Sequence, residues 1–66
     1  MAICLLDELN ELLQKSKLNI PEYQRVVHPN GKNHKWLKKN FGNNDAAPER
    51  LRQLINMNLN ELLKPV

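Results

Sequence analysis

Few side chains in this 66-residue sequence are of the types that act as nucleophiles, general bases or metal ligands. The single cysteine, Cys4, lies far along the chain from His28 and His34, and this spacing matches no standard zinc pattern. No Gly-rich phosphate loop occurs, and no acidic residue lies at a diagnostic spacing from a histidine. The sequence therefore predicts no enzyme active site, no metal site and no cofactor.

The residues best suited to binding are the basic residues in the middle of the chain. Residues 23–44 contain five basic residues and no acidic one, whereas residues 1–14 contain three acidic residues and no Lys or Arg. Phosphate contacts supply most of the non-specific affinity for nucleic acid, and an Asn side chain can bridge N6 and N7 of adenine. We predict nucleic-acid contacts by Arg25, Lys32, Asn33, Lys35, Lys38 and Lys39.

Length and composition limit what else the chain can be. A chain of 66 residues builds one small domain, residues 1–66, with a thin margin of stability. One cysteine excludes a mini-protein held together by internal disulfides. The first apolar residues lack a basic region before them and run directly into Asp7 and Glu8, so we expect no signal peptide. We expect a cytoplasmic protein, without a membrane span and without a small-molecule substrate.

The N-terminal segment has the pattern of an amphipathic helix. Its apolar stripe, with intervals of three and four residues, consists of Ala2, Leu5, Leu9, Leu12 and Ser16, widened by Leu6 and Leu13. The acidic residues lie in the first half and Lys15 and Lys17 at the end, which suits the helix dipole. A long N-terminal helix is therefore predicted.

Residues 19–28 have two interpretations. A short helix would be capped by Asn19 and would end before Pro29, because proline disfavours helical geometry in the residue before it. The face of this helix would be formed by Ile20, Tyr23 and Val27. A strand is the alternative, since the segment is rich in β-branched residues, and the following turn would then be the tip of a central β-hairpin over residues 23–37.

The residues after this turn favour the helical interpretation. In a helix from Asn33 to Gly42, the lysines lie on one side and the aromatic residues on the other, whereas a strand would place lysines on both faces. Trp36 could stack on a base, but it shares an arc with Leu37 and Phe41, and we therefore interpret it as a core residue. The last predicted helix covers residues 46–63 and carries Asn58 within its apolar arc.

The five-residue sequence LNELL occurs twice, at residues 9–13 and 59–63. A chain this short can hardly cover two leucine-rich helices, so a homodimer or a protein partner is plausible. A polar residue in an apolar arc, such as Asn58, can fix the register of such an interface. The predicted partner or dimer interface consists of Leu9, Leu13, Leu59, Leu63 and Asn58.

These patterns predict an all-α fold in which long N- and C-terminal amphipathic helices flank two short helices. The predicted function is a small, non-enzymatic basic module that binds nucleic acid or regulates transcription through a helix-turn-helix-like, lysine-rich central helix. The alternative is a protein-interaction adaptor or inhibitor that acts through its leucine-rich helices, with the lysines serving solubility. An adaptor would show an apolar surface patch, and a nucleic-acid binder would show strong dependence on salt.

Overall fold

The computed structural model describes residues 4–65, in which helices are the main regular structure. The helices are α1 (Leu5–Lys15), α2 (His34–Phe41), α3 (Glu49–Asn56) and α4 (Leu59–Leu63), and a 3₁₀ turn (Glu22–Gln24) lies between α1 and α2. The only β pairing among these residues is an isolated bridge between Cys4 and Pro65. The all-α prediction is confirmed, and the alternative hairpin over residues 23–37 is wrong. No helix in the described part of the chain is long and apolar enough to cross a membrane.

The core forms where α1 packs on α3 and α4, and where α2 packs on α3. Its fully buried side chains are Leu9, Leu13, Val27, Leu37, Leu51, Leu54, Ile55 and Leu62. The buried side of α1 follows Leu6, Leu9 and Leu13, so it is rotated from the predicted stripe, and Leu5 and Leu12 are only partly buried. Each fully buried leucine contributes about 1.5–3 kcal/mol relative to an exposed one, and the core is therefore the main source of stability.

The segment 19–28 forms only the 3₁₀ turn and not the predicted helix. Its second half is held by a side chain from α1. The amide nitrogen of Asn10 donates to the carbonyl oxygen of Val27 (3.1 Å), and the backbone N–H of Val27 donates to Asn10 Oδ1 (2.7 Å). This pair of bonds satisfies the backbone of Val27 without a helix or a sheet and fixes its side chain in the core.

The prediction of one continuous helix over residues 46–63 is wrong, because the chain breaks between α3 and α4. Met57 adopts extended geometry, and Asn58 becomes the N-cap residue of α4, where its carbonyl oxygen accepts from the N–H groups of Glu61 and Leu62. Asn58 is exposed, whereas Leu62 is fully buried. A continuous helix would have carried Asn58 into the apolar arc, and burying an unpaired amide is costly. The break keeps this side chain in water.

A tight turn sets the start of α2. The N–H of Gly31 donates to the carbonyl of His28 (2.8 Å), and the N–H of Lys32 donates to Asn30 Oδ1 (2.9 Å). Gly31 has φ of +75°, a left-handed geometry that glycine adopts without strain. The turn expected from Pro29, Asn30 and Gly31 is therefore present, although it connects a 3₁₀ turn to a helix and does not join two strands.

Candidate nucleic-acid interface

One side of α2 is buried against the rest of the molecule. His34, Leu37 and Phe41 are buried, and Trp36 is partly buried with its ring centroid 5.6 Å from that of Phe41. The helix expected over Lys35 to Asn40 is present. The interpretation of Trp36 as a residue that packs against the core is confirmed.

The opposite side of α2 carries the lysines. Lys35 and Lys39 are exposed, Lys38 is partly exposed, and Lys32 is exposed in the turn immediately before the helix. Within residues 4–65, none of these four ammonium groups forms an ion pair. We call Lys32, Lys35, Lys38 and Lys39 the lysine face. Four positive charges without a neutralising partner make this the most electropositive feature of α2.

The ion pairs found within residues 4–65 involve none of these lysines, and one of them joins Asp45, in the loop after α2, to Arg52 of α3 at 4.0 Å. Glu11 pairs with Lys15 within α1, and Glu61 pairs with Lys64 at the end of α4. Glu8 of α1 accepts two bonds from the guanidinium of Arg50 of α3, at 2.7 and 3.1 Å, and these bonds hold the pKa of Glu8 below its usual value. These ion pairs therefore neutralise charged side chains on α1, on α3 and at the end of α4, whereas the four lysines of the lysine face have no acidic partner among the described residues.

Arg25 was predicted to contact nucleic acid, but the structure gives its guanidinium another role. Its nitrogens donate to the carbonyl oxygens of Leu13 (2.7 Å), Ser16 (3.2 Å), Leu18 (2.9 Å) and Ile20 (3.1 Å), and to Ser16 Oγ (3.2 Å). These acceptors lie at the C-terminus of α1 and in the loop after it, where carbonyls lack partners within the helix. Because most of the guanidinium hydrogens bond to these acceptors, we do not include Arg25 in the binding surface proposed below.

Asn33 was predicted to read a base, but the structure buries its side chain. Its side chain is only 8% exposed. Its amide nitrogen donates to the carbonyl oxygens of Tyr23 (3.2 Å) and Val26 (2.7 Å). Both amide hydrogens are thus used to tie the 3₁₀ turn and the following loop to the start of α2. Bidentate recognition of adenine would require that amide to be free.

His34, which follows Asn33, is buried as well, with 5% of its surface exposed. Its Nε2 lies 2.9 Å from the carbonyl oxygen of Ile55, and because a carbonyl only accepts, Nε2 carries a hydrogen and donates. Burial lowers the pKa of His34 below its usual 6.5; the bond to Ile55 opposes this, and the nearby charge of Lys38 adds to it. His34 therefore links α2 to α3 in its neutral form at pH 7.

The predicted leucine interface is largely inside the molecule. Leu9 and Leu13 have no exposed surface, because α3 and α4 cover this side of α1. Leu59 is partly buried against the core, and only Leu63 (38%) and Asn58 are exposed. The prediction is wrong for Leu9 and Leu13, since the two LNELL helices pack against each other within one chain.

Tyr23 is the surface residue that the sequence reasoning missed. Its exposed fraction is 76%, which is twice that of the next large apolar residues, Leu63 and Val26 (37%). A helical spacing placed Tyr23 on the same face as Ile20 and Val27, and these two residues are indeed buried. Because the segment forms only one 3₁₀ turn, Tyr23 instead points away from the core. The exposure of Tyr23 follows from the segment forming one 3₁₀ turn and not a helix, and the sequence pattern did not indicate this.

The other side-chain groups offer little chemistry. Among residues 4–65, no three His, Cys, Asp or Glu side chains come together as a metal ion would require. Cys4 is a free, partly buried thiol whose Sγ lies 3.6 Å from Asp7 Oδ2. A mainly apolar, open groove is lined by Lys15, Ser16, Lys17, Leu18, Ala46 and Pro48, and none of these residues belongs to α2.

Comparison of the chain with known protein families, with curated proteins and with solved structures finds no match.

Proposed function

We propose that this protein is a small, non-enzymatic module that binds nucleic acid through the lysine face, residues Lys32, Lys35, Lys38 and Lys39. The observation that carries the proposal is that these four ammonium groups are free of ion pairs within the described residues, on a helix whose other side is anchored in the core. Lysines held on a fixed surface release condensed counterions when they meet phosphates, and this release favours binding.

The dimensions of α2 agree with a row of phosphates. A helix of eight residues is about 12 Å long, and successive phosphates of one DNA strand advance about 3.4 Å along the duplex axis. The lysine face is therefore long enough to follow about three to four phosphates. Three of the four lysines lie within this length, and Lys32 lies in the turn directly before it.

The form of recognition differs from the one expected from the sequence. The element directly before α2 is a 3₁₀ turn of three residues, so the first helix of a helix-turn-helix is absent there. The amide of Asn33 and the guanidinium of Arg25 are occupied by backbone carbonyls. Our proposal is thus a contact dominated by phosphates, which positions the protein without reading a particular base sequence. A cytoplasmic location and a role in transcription regulation remain part of the proposal.

Replacing Lys35, Lys38 and Lys39 together by Gln tests the proposal. Each phosphate contact adds about −0.9 to the slope of log affinity against log salt for duplex DNA, so the variant should flatten the slope by about two to three. The measurement is a titration of labelled DNA by fluorescence anisotropy at several salt concentrations. The fold should stay intact, because Lys35 and Lys39 are exposed and Lys38 is partly exposed.

A matched control removes the same number of charges elsewhere. Lys15, Lys17 and Lys64 lie outside α2, and their joint replacement by Gln lowers the net charge equally. This control should change the slope much less than the lysine-face variant. If both variants change the slope equally, binding follows only from net charge. If neither changes it, or if binding is weaker than millimolar at low salt, the proposal is wrong.

A further inference from the structure

The chain has three aromatic residues, and they are divided between two environments. The rings of Trp36 and Phe41 contact each other against the core, at an interplanar angle of 48°. Tyr23, by contrast, is exposed over 76% of its surface. An aromatic ring is the largest source of buried area that a small domain has, and leaving one in water gives up that stabilisation. Tyr23 is therefore the aromatic ring of the described residues that is free to contact a ligand.

The backbone that carries Tyr23 is fixed at several points. The 3₁₀ turn closes through bonds from Gln24 to Pro21 (2.9 Å) and from Arg25 to Glu22 (3.2 Å). The guanidinium of Arg25 ties this turn to the end of α1. The tyrosine ring is thus carried on a rigid support, and a rigid support lowers the entropy lost on binding.

Asn33 also ties the backbone of Tyr23 to the start of α2. Its amide nitrogen lies 3.2 Å from the carbonyl oxygen of Tyr23, and Asn33 follows Lys32 directly in the chain. The backbone that carries the exposed ring is therefore tied to the residue that follows Lys32 and precedes α2. The 3₁₀ turn has one acidic residue, the exposed Glu22, which directly precedes Tyr23 in the sequence.

We infer that the lysine face and Tyr23 together bind single-stranded nucleic acid, with the phosphates along α2 and an unpaired base stacked on the Tyr23 ring. The inference rests on the proposed function and adds the strand state of the ligand. A duplex keeps its bases stacked inside, so it offers phosphates to the lysines but no free base to Tyr23. Basic grooves combined with exposed aromatic rings are the usual means by which proteins hold single strands without reading sequence.

The test compares single and double strands on the full chain. Labelled twelve-residue oligothymidine, oligouridine and a duplex of the same length are titrated at several salt concentrations, and the oligouridine arm separates RNA from DNA. The wild-type protein should bind the single strands more tightly than the duplex at equal salt. Tyr23→Ala should weaken single-strand binding by about 5- to 150-fold, the range that corresponds to the loss of one stacked base. The same variant should leave duplex binding and the salt slope nearly unchanged.

Two further variants separate stacking from other effects. Tyr23→Phe keeps the ring and should bind single strands like the wild type. Val26→Ala removes another exposed apolar side chain, in the loop after the 3₁₀ turn, and should have no effect on binding. Circular dichroism of each variant checks that the helices persist.

The outcomes distinguish this inference from the proposed function. If Tyr23→Ala binds single strands as the wild type does, or if the duplex binds as tightly as the single strands, Tyr23 does not stack a base and the inference is overturned. The lysine-face variant would still be defective in that case. If the lysine-face variant also binds normally, both the inference and the proposed function fail, and the exposed tyrosine then points to a protein partner.

Discussion

The network around Arg25 makes the sharpest prediction about stability, and the substitution Arg25→Lys tests it. Lysine keeps the positive charge but replaces a planar fork of five N–H donors by one compact ammonium group. The guanidinium contacts four backbone carbonyls and one hydroxyl, on Leu13, Ser16, Leu18 and Ile20. An ammonium group at the same place can reach one or two of these acceptors. The variant therefore loses at least half of the network without losing charge.

The size of the effect follows from the bonds lost. A hydrogen bond to a charged group contributes about 1.5–3 kcal/mol, but bonds that share one group are not additive, and some of the released carbonyls can bind water. We expect Arg25→Lys to lower the free energy of unfolding by about 2 kcal/mol. A domain of 66 residues has roughly 3–10 kcal/mol in total, so this is a large part of its stability. The corresponding fall in Tm is about 8–16 °C.

Urea unfolding followed by circular dichroism at 222 nm measures this loss, with Arg50→Lys as the matched control. Arg50 pairs with Glu8 at an exposed site, where lysine can make a similar ion pair, and the midpoint should move little. Arg25→Lys should also leave the salt slope of nucleic-acid binding unchanged, because the side chain meets carbonyls and not phosphates. An unfolding midpoint equal to that of the wild type would refute the network, and a flattened salt slope would restore Arg25 to the binding surface.

The remaining predictions concern a glycine and a histidine. Gly42→Ala should destabilise the protein by about 1–3 kcal/mol in urea unfolding, since an added Cβ would lie 2.6 Å from both Asn56 Oδ1 and the carbonyl oxygen of Lys38. The double variant Gly42→Ala with Asn56→Ala should not recover the urea midpoint of the wild type, because the added Cβ still meets the Lys38 carbonyl oxygen. Folding lowers the pKa of His34 from its unfolded value of 6.5. Below that pH the unfolded chain binds a proton more readily than the folded chain does, so the free energy of unfolding should fall as the pH decreases from about 7. His34→Gln, which can still donate to the Ile55 carbonyl, should remove this pH dependence, while exposed His28→Gln should keep it; equal slopes in both variants would contradict the assignment.

The parts of the fold that sequence reasoning predicted are those that depend on local patterns. The lysines of α2 separate from Leu37 and Phe41 only in a helix, and that arrangement is the one observed. The turn at Gly31 follows from residues that favour turns wherever they occur. These features need no information about the rest of the chain, because side-chain spacing within one segment is enough to specify them.

The parts that sequence reasoning missed depend on contacts between distant segments. Asn10, Arg25, Asn33 and Asn56 each donate to a backbone carbonyl in another part of the chain. A polar side chain looks the same in a sequence whether it will meet solvent, a ligand or a loop carbonyl. The break at Asn58 is of the same kind, because only the packing of α4 on α1 decides which side of the last segment is buried.

This use of polar side chains also bears on what the protein can recognise. The carbonyls of the long loop between α1 and α2 need partners, and the residues best able to read bases, Arg25 and Asn33, provide them. The lysine face and Tyr23 remain on that part of the surface, together with the exposed His28, Asn30 and Asn40. Because Arg25 and Asn33 bond to the loop, we expect the strand state of the ligand to affect binding more than its base sequence does. For that reason the comparison of single strands with duplex, and not a search for a preferred sequence, is the experiment that tests how this surface selects its ligand, whereas the salt slope of the lysine-face variant tests the proposed function itself.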